Sequence, residues 1–414
     1  MIVNDNAIIF HIDVNSAYLS WSALRELQNG STQDLRTIPS IVGGDQETRH
    51  GIVVAKSIPA KVFGIQTAET VASAFQKCPT LVMVPPDHAY YRDMSQKLMR
   101  HLRSICDEIE QVSIDECYMS FEPIRGRFPS PEAAATYIKD SVYDTFGFTV
   151  NVGISDRKVL AKMASDFKKP NLVHTLYVSE IQKKLWPIAS LHMCGKSSAK
   201  LLQKMGIRKI GDLARTDKAV VESWLKSHGG MLWNYANGID DGQVVKEKPK
   251  AKGVGNSTTL ANNAETEEEA YTVLKELAVS VSQRLKKHHF LAAQISTEIK
   301  YASFRSVSHQ TTILTPTAEE TEIYQCACQL FNELWDGEPI RLLGIRTTKL
   351  QDEEEPTQIS LFDLGKYQEQ EKQEELRREK EEQKQKKLAS LDDAIAKIKK
   401  RYGDNAIHKG AETK

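Results

Sequence analysis

The sequence predicts an α+β protein built around a split β-α-β sheet, in which strands and helices alternate along the chain. Three observations carry this. The run Ile8-Ile9-Phe10-His11-Ile12-Asp13-Val14 is apolar and β-branched, and reads as a buried first strand that ends in an acid. The stretch Ser113-Ile114-Asp115-Glu116-Cys117-Tyr118 sets two adjacent carboxylates between apolar flanks, a hairpin with acids at its tip. Between and after these lie two helical patterns and a further strand, in the order strand, helix, strand, strand, helix, strand. That order makes the strands carrying residue 13 and residues 115–116 neighbours at the centre of one sheet.

Taken in order, residues 7–14 form the first strand and Ala17 to Leu27 a helix, followed by punctuation at Gly30, Gly43-Gly44 and Gly51. Ile52 to Ala55 and Leu81 to Val84 read as short strands. Tyr90 to Ile109 carries Met94, Leu98, Leu102, Ile105 and Ile109 at helical spacing. After the acidic hairpin come a helix from Pro131 to Phe146, a strand from Thr149 to Ile154 and a basic helix from Arg157 to Phe167. Residues 180–244 read as helical. Lys246-Glu247-Lys248-Pro249-Lys250-Ala251-Lys252-Gly253 is a basic, Pro-containing linker. Beyond it the pattern gives a helix containing Leu285, strands at Gln294 to Tyr301 and Thr311 to Leu314, a second helix around Tyr324 to Leu330, and a closing strand from Arg341 to Leu350. From Gln351 the composition shifts to charge: an acidic run, Gln358-Ile359-Ser360-Leu361-Phe362, a Glu/Lys/Gln-rich helical stretch and an amphipathic segment from Leu391 to Tyr402.

At 414 residues the chain has room for two to four domains, each with its own core. Apolar content of 40%, charged content of 27% and a formal net charge of zero describe a soluble globular class, so nucleic-acid binding would rest on local basic patches. Cys78, Cys106, Cys117, Cys194, Cys326 and Cys328 contain no C-x-x-C pair, which argues against a zinc site or a disulfide framework and for a reducing compartment. The N-terminal apolar run lacks a basic leader and is interrupted by Asp5 and Asp13, and no stretch approaches the roughly 20 apolar residues of a membrane span. The expectation is a cytoplasmic protein with no membrane association.

Adjacent carboxylates between apolar segments repel one another and lose hydration unless cations sit among them. Alone, an Asp-Glu pair is usually a solvated turn and a strand-terminal Asp a cap. Three acids converging from two strands, Asp13, Asp115 and Glu116, are what a pair of Mg²⁺ ions needs to align a triphosphate with a hydroxyl. The surrounding motifs are Asp13-Val14-Asn15-Ser16-Ala17-Tyr18, Val54 to Ile65, Ser113-Ile114-Asp115-Glu116, and Val152-Gly153-Ile154-Ser155 followed by Leu160 to Ala164. In this order and spacing the chain, from about residue 7 to 365, resembles the Y-family translesion DNA polymerases, most of all the bacterial DNA polymerase IV branch.

The resemblance implies a right-hand polymerase fold with a ferredoxin-like palm (residues 1–16 and 87–179), small fingers (17–86) and a helical thumb with a helix–hairpin–helix (180–244). A linker (245–253), an α/β little finger (254–350) and a charged tail (351–414) complete it. It implies DNA-templated, error-prone addition of deoxynucleoside triphosphates to a primer, with Asp13, Asp115 and Glu116 catalytic and two Mg²⁺ ions held by those acids and the Val14 carbonyl. It makes Tyr18 a steric gate against ribose, with a plain core aromatic as the alternative. Lys61 and Lys162 become triphosphate contacts, with solvated lysines as the alternative. Ala55, Ile58 and Lys61 depart from the Thr, Tyr and Arg common in the branch, and Lys61 is similar to the polymerase V branch. Gly195, Lys196 and Lys200 in the hairpin motif, and Arg284, Lys286 and Arg305 in the little finger, are implied backbone contacts to primer–template DNA, although each could be a solvated face. Gln358, Leu361 and Phe362 resemble the Q-x-x-L-F peptide that binds the replication sliding clamp; the expected form is a monomer. Two rivals share parts of the pattern: another two-metal enzyme on the same sheet, such as a nucleotidyl cyclase, and a DNA-binding scaffold that has lost its chemistry. The first leaves the hairpin motif and clamp peptide unexplained. The second leaves three costly acids unexplained.

Overall fold

The structure, a computed structural model, describes residues 7–45, 51–240, 242–247 and 250–354. The chain divides into two compact units, residues 1–250 and 251–414.

In the first unit, β1 (Ile9–Val14) is followed by α1 (Ala17–Gln28), β2 (Ser40–Gly43), β3 (Val53–Lys56), α2 (Ile58–Val62), α3 (Val71–Lys77) and β4 (Val82–Val84). Strands β3, β2 and β4, in that order, make a small sheet of their own, inserted between β1 and the long helix α4 (His88–Ile105). Then come β5 (Ile109–Gln111), β6 (Glu116–Ser120), α5 (Pro131–Phe146), β7 (Val150–Ser155), α6 (Lys158–Ser165) and β8 (Val173–Thr175). The main sheet has the order β5-β6-β1-β7-β8, in which β1, α4, β5, β6, α5 and β7 form the split β-α-β arrangement and β8 adds a parallel edge. Helices α4 and α5 cover one face, where Phe10, Ile12, Val14, Cys117 and Met119 pack with Leu98, Leu102 and Ile138. Local chemistry sets the ends: Asp87 accepts from the amides of Ala89 and Tyr90 at the start of α4, and Ser130 with Pro131 opens α5, which Gly147 closes at φ 74°.

The opposite face of this sheet is covered by α6, and the fit depends on Gly153. A Cβ there would lie 2.0 Å from the Ala161 carbonyl oxygen and 2.5 Å from the Ser165 nitrogen, so only glycine lets the helix backbone rest on β7. Asp240 anchors the start of α6 by accepting from the Val159 amide at 2.6 Å. The far side of α6 joins α7 (Ile181–Lys184), α8 (Lys196–Lys204), α9 (Ile210–Arg215) and α10 (Lys218–Ala236) in a helical core with Leu160, Leu202, Leu213 and Leu232.

The second unit is an antiparallel sheet, β11-β10-β12-β9, with two helices on one face. Its elements are β9 (Gly253–Ala264), α11 (Glu267–Lys287), β10 (Phe290–Tyr301), β11 (Ser306–Thr317), α12 (Glu320–Leu334) and β12 (Ile340–Asp352). Leu274, Val281, Leu285 and Phe331 pack on Ile295, Ile299 and Ile345. Helix α11 opens on a Thr266–Glu269 capping box with three acids in its first turn and ends on Arg284, Lys286 and Lys287, complementing its dipole at both ends.

Several boundaries differ from expectation for identifiable reasons. Helix α4 stops at Ile105 and not Ile109, because Ile109 fits the helical spacing and also begins β5. The last residue of the expected linker, Gly253, already starts β9; that strand was not expected, since Gly-Val-Gly-Asn-Ser-Thr-Thr-Leu-Ala-Asn-Asn-Ala shows little apolar alternation. Strands β2 and β11 were missed or shortened for a similar reason: one is short, the other polar along its outer face. The last strand continues through Asp352, past the expected start of the tail at 351. The clamp-like peptide Gln358–Phe362 and the segment 391–402 lie outside the described residues.

Replacing Gly153 with Ala should force α6 off the sheet. Overpacking against backbone typically costs about 1–3 kcal/mol, so denaturant unfolding should show a loss of at least that size. A Gly153→Ala protein as stable as the parent would show that the helix does not rest there.

Candidate active site

The antiparallel register of β1 and β6 sets Asp13 directly opposite Glu116. Side chains alternate along a strand, so Ile9, His11 and Asp13 share one face with Glu116 and Tyr118, and that is the face under α6. Asp13 is 9% exposed and His11 1%. A ring nitrogen of His11 and carboxylate oxygens of Asp13 and Glu116 lie within 4.8 Å of one another. Asp115 is not in that tight group. It precedes β6 by one residue, accepts at its backbone oxygen from the Val14 amide at 3.0 Å, and turns its carboxylate to an adjoining cavity, where Oδ1 accepts from Ser113 Oγ at 2.7 Å.

Two lysines answer the acids. Lys162 Nζ from α6 donates to Asp13 Oδ2 at 3.1 Å and to Glu116 Oε2 at 2.8 Å. Lys169 Nζ donates to Asp13 Oδ1 at 2.6 Å and pairs with Asp166 at 2.9 Å. Lys162, expected at the triphosphate, thus lies against the acids themselves, because α6 crosses the same sheet face. Burial opposes both charges, but Asp13 and its acidic neighbours hold the two ammonium groups above their usual range. Glu116 is drawn down to about 2, first by its hydrogen bond from His11 and then by Lys162, against the opposing pull of burial. Asp115 moves the other way: burial raises it, and the charges of Asp13 and Glu116 add to the shift. Burial keeps His11 below its ordinary range.

The loop carrying Lys169 is held from beneath. Asn151, fully buried on β7, donates to the carbonyls of Ser165 (3.0 Å) and Lys168 (2.7 Å) and accepts from the Leu172 amide (3.2 Å) and Asn15 Nδ2 (3.2 Å). Asn15 Oδ1 accepts in turn from Thr149 Oγ1 and the Asn171 amide, both at 2.9 Å. The partners of this amide pair are backbone groups, each other and the Thr149 hydroxyl, which fixes residues 165–172 beside Asp13.

Beside the acids is a cavity of about 310 Å³, lined by Ser16, Ala17, Tyr18, Val54, Ala55, Lys56, Lys61, Thr67 and Asp115. Tyr18 projects into it from α1 while its ring stacks on buried Tyr91, centroids 4.6 Å apart. Burial, then the charge of Asp115, raises its hydroxyl above the ordinary phenol range. Lys56 is held below the usual ammonium range by burial and then by the charge of Lys61. Two cations that repel one another and a carboxylate in the lining of one cavity favour an anion accompanied by metal. Ile58 is 52% exposed and Ala55 lines the wall with no polar group, so the departures noted in the sequence leave the lysines as the cationic side chains of this cavity.

Comparisons with known proteins agree with this geometry. The impB/mucB/samB family model matches residues 12–166, and the model for the family's C-terminal domain matches residues 251–361. DNA polymerase IV of Clostridium acetobutylicum is 40% identical over 403 residues, 97% of this chain and 96% of that protein. DNA polymerase IV 1 of Bacillus subtilis is 35% identical over 410 residues, 98% and 93% of the two chains. The chain belongs to the DNA polymerase IV branch of the impB/mucB/samB family. A solved Y-family DNA polymerase chimera shares the fold with a TM-score of 0.73 at 22% identity, covering 83% of this chain and 99% of its own. As a member of the DNA polymerase IV branch, the chain is a DNA-directed DNA polymerase of the translesion type, acting on DNA and nucleotides with a divalent metal. Among the described residues no helix is long and apolar enough to cross a membrane.

The remaining residues expected in this polymerase fall in several settings. Gly195 caps α8, and Lys196 and Lys200 lie one turn apart on it; Gly206, at φ 82°, makes the turn toward α9, giving the anticipated helix–hairpin–helix. In the second unit, Arg284 donates to the Gly255 carbonyl at 3.0 Å, Lys286 pairs with Glu319, and Arg305 pairs with Asp336 and Glu338 while stacking on Tyr301. Sequence reading missed the helix-free sheet face. Three of its cross-strand rows are Thr312–Gln294–Thr348–Gly253, Gln310–Ser296–Arg346–Gly255 and Ser308–Glu298–Gly344–Ser257, small or hydroxylated except for Arg346, Glu298 and the Gln pair, and a fourth, Ser306–Lys300–Leu342–Thr259, adds a lysine and a leucine. It also missed His11, Lys56 and Lys169. The strand period would have found His11, two residues before Asp13. Nothing periodic marks Lys169.

Proposed function

We propose that Asp13, Asp115 and Glu116, with the Val14 carbonyl, hold two Mg²⁺ ions for nucleotide addition to a primer 3′-hydroxyl. The observation that carries this reading is the Asp13–Glu116 register with Asp115 turned to the cavity beside Tyr18, Lys56 and Lys61. The donor set fits the metal: the carboxylates are hard oxygen ligands, and burial, then the charges of Asp13 and Glu116, leave Asp115 in want of a cation. Bound Mg²⁺ supplies charge neutralisation on the phosphates and a lowered pKa for the attacking hydroxyl.

The protein's own groups do the positioning. Lys61 and Lys162 are assigned to the triphosphate, with Lys56 beside Lys61; Lys162 and Lys169 also balance the acids' charge. Tyr18 is the gate: a ring fixed on Tyr91 leaves no room for a 2′-hydroxyl. In this reading residues 1–16 and 87–179 are the palm, 17–86 the fingers, 180–244 the thumb, 254–350 the little finger and 351–414 the tail. Gly195, Lys196 and Lys200 grip the DNA backbone independently of sequence. Arg284, Lys286 and Arg305 contribute less, because their charges already have partners. The Ser/Thr/Gly sheet face with Arg346 is the better surface for close approach of a phosphate backbone. Gln358, Leu361 and Phe362 tether the polymerase to the sliding clamp. The acting form is a cytoplasmic monomer, consistent with six free cysteines.

Asp115→Ala and Glu116→Ala should each abolish primer extension while leaving primer–template affinity nearly intact, since phosphate contacts elsewhere supply that affinity. Strong residual extension by both would refute the metal assignment.

Alanine at Gln358, Leu361 and Phe362 together should leave distributive synthesis unchanged and remove stimulation by added clamp, because a tether acts through effective concentration. Equal stimulation of parent and triple variant would assign the tether elsewhere.

Tyr18→Ala should raise ribonucleotide insertion relative to deoxyribonucleotide insertion by orders of magnitude, with deoxyribonucleotide use falling much less. Were Tyr18 only a packing residue, truncation would cost on the order of 3 kcal/mol of stability and leave the sugar preference unmoved. Single-nucleotide insertion efficiencies, measured beside a melting curve, separate the two.

A further inference from the structure

We propose that His11 is a positioning residue for Glu116, holding its carboxylate in the orientation from which it serves the reaction. The inference rests on the assignment of Glu116 proposed above and goes beyond it.

A histidine 1% exposed on the face of a sheet must find partners for both ring nitrogens or lose their hydration without return. His11 finds both. Nδ1 meets Ser165 Oγ on α6 at 2.9 Å, and Nε2 meets Glu116 Oε2 at 3.3 Å. The Tyr118 ring stands edge-on to the imidazole, centroids 4.9 Å apart at 64°, and closes one side. On the other side its cross-strand neighbour is Gly153, the residue that admits α6 and therefore Ser165. The ring is thus clamped between a helix and two strands before it reaches Glu116.

Proton placement follows from the contacts. Glu116 Oε2 accepts from the Lys162 ammonium, the contact of a carboxylate, so a nitrogen lone pair 3.3 Å from that oxygen would repel it. Nε2 must carry the hydrogen, and the neutral ring then accepts at Nδ1 from the Ser165 hydroxyl. Lys162 donates to the same oxygen at 2.8 Å. The two donors differ in kind. Lys162 is a flexible cation that also serves Asp13 and, at 3.7 Å, Asp166. His11 is rigid and makes no contact with the nucleotide cavity. Lys162 supplies charge, and His11 supplies direction.

Asparagine and glutamine separate the two ring contacts. The shorter amide of His11→Asn reaches about as far as Nδ1 and can keep Ser165 but not Glu116. The longer amide of His11→Gln reaches about as far as Nε2 and can donate to Glu116. The experiment compares the full chain with His11→Asn, His11→Gln and Glu116→Ala. It measures kcat and KM for single-nucleotide insertion, Mn²⁺ affinity without DNA or nucleotide by electron paramagnetic resonance, and melting. Loss of a group that orients a metal ligand typically costs about 10–100-fold. His11→Asn should therefore lose about that factor in kcat and in Mn²⁺ affinity, with KM for the nucleotide held, and His11→Gln should recover most of both. Parental kcat and Mn²⁺ affinity in His11→Asn would overturn the proposal. So would equal loss in the asparagine and glutamine variants if they melt alike, since the imidazole itself would then be the required group. An active Glu116→Ala would sink the underlying assignment instead, whatever the His11 variants do.

Discussion

The structure depends on one close approach: helix α6 lying on the sheet over Gly153. Because no Cβ intervenes, the helix backbone comes near enough for Ser165 to reach His11 and for Lys162 to reach Asp13 and Glu116. The same helix presents Leu160 and Met163 to the helical segment behind it. It is therefore at once the cover of the acidic face, the source of its counter-charge and the joint to the neighbouring core. Asp240 fixes its first turn and Asn151 its last, so the helix is held at both ends by polar contacts.

Electrostatics explains why such holding is needed. Two carboxylates on adjacent strands with a third beside them would repel, and a sheet interior offers little water to relieve it. The molecule answers with divergent environments. Glu116 is pulled down by His11 and Lys162, whereas Asp115 is pushed up by burial and its acidic neighbours. The group that remains electrostatically strained is the one facing the cavity where Lys56 and Lys61 crowd each other. Charges of opposite sign lining one cavity suit a metal-bound anion, in keeping with a nucleotide polymerase.

The second unit is organised differently. Its helices cover the central strands on one sheet face, and the other face is built mostly from Ser, Thr, Gly and Gln. Small side chains at those rows leave the backbone and hydroxyls approachable. The charged residues of α11 serve elsewhere: Arg284 and Lys286 complement the helix C-terminus and make intramolecular contacts.

Much of this was legible in the sequence, and the limits have physical causes. Local pattern determined the split β-α-β order, the helix from Pro131 to Phe146 to the residue, and the pairing of the strand ending at Asp13 with the acidic hairpin, because burial on one face imposes a readable period. Motif resemblance determined the polymerase family. Polar strands such as β9 and the outer row of β11 stayed hidden, since a solvated or functional face erases the alternation on which strand reading relies. What only the tertiary structure decided was which side chains share a face and how near they come. Asp115 and Glu116, adjacent in sequence, part to different sides at the start of β6. Lys162 joins the acids, and Lys169 arrives from a loop clasped by two buried asparagines. His11 acquires its partners from α6 and β6, more than a hundred residues away, and distance along the chain carries no signal of that kind.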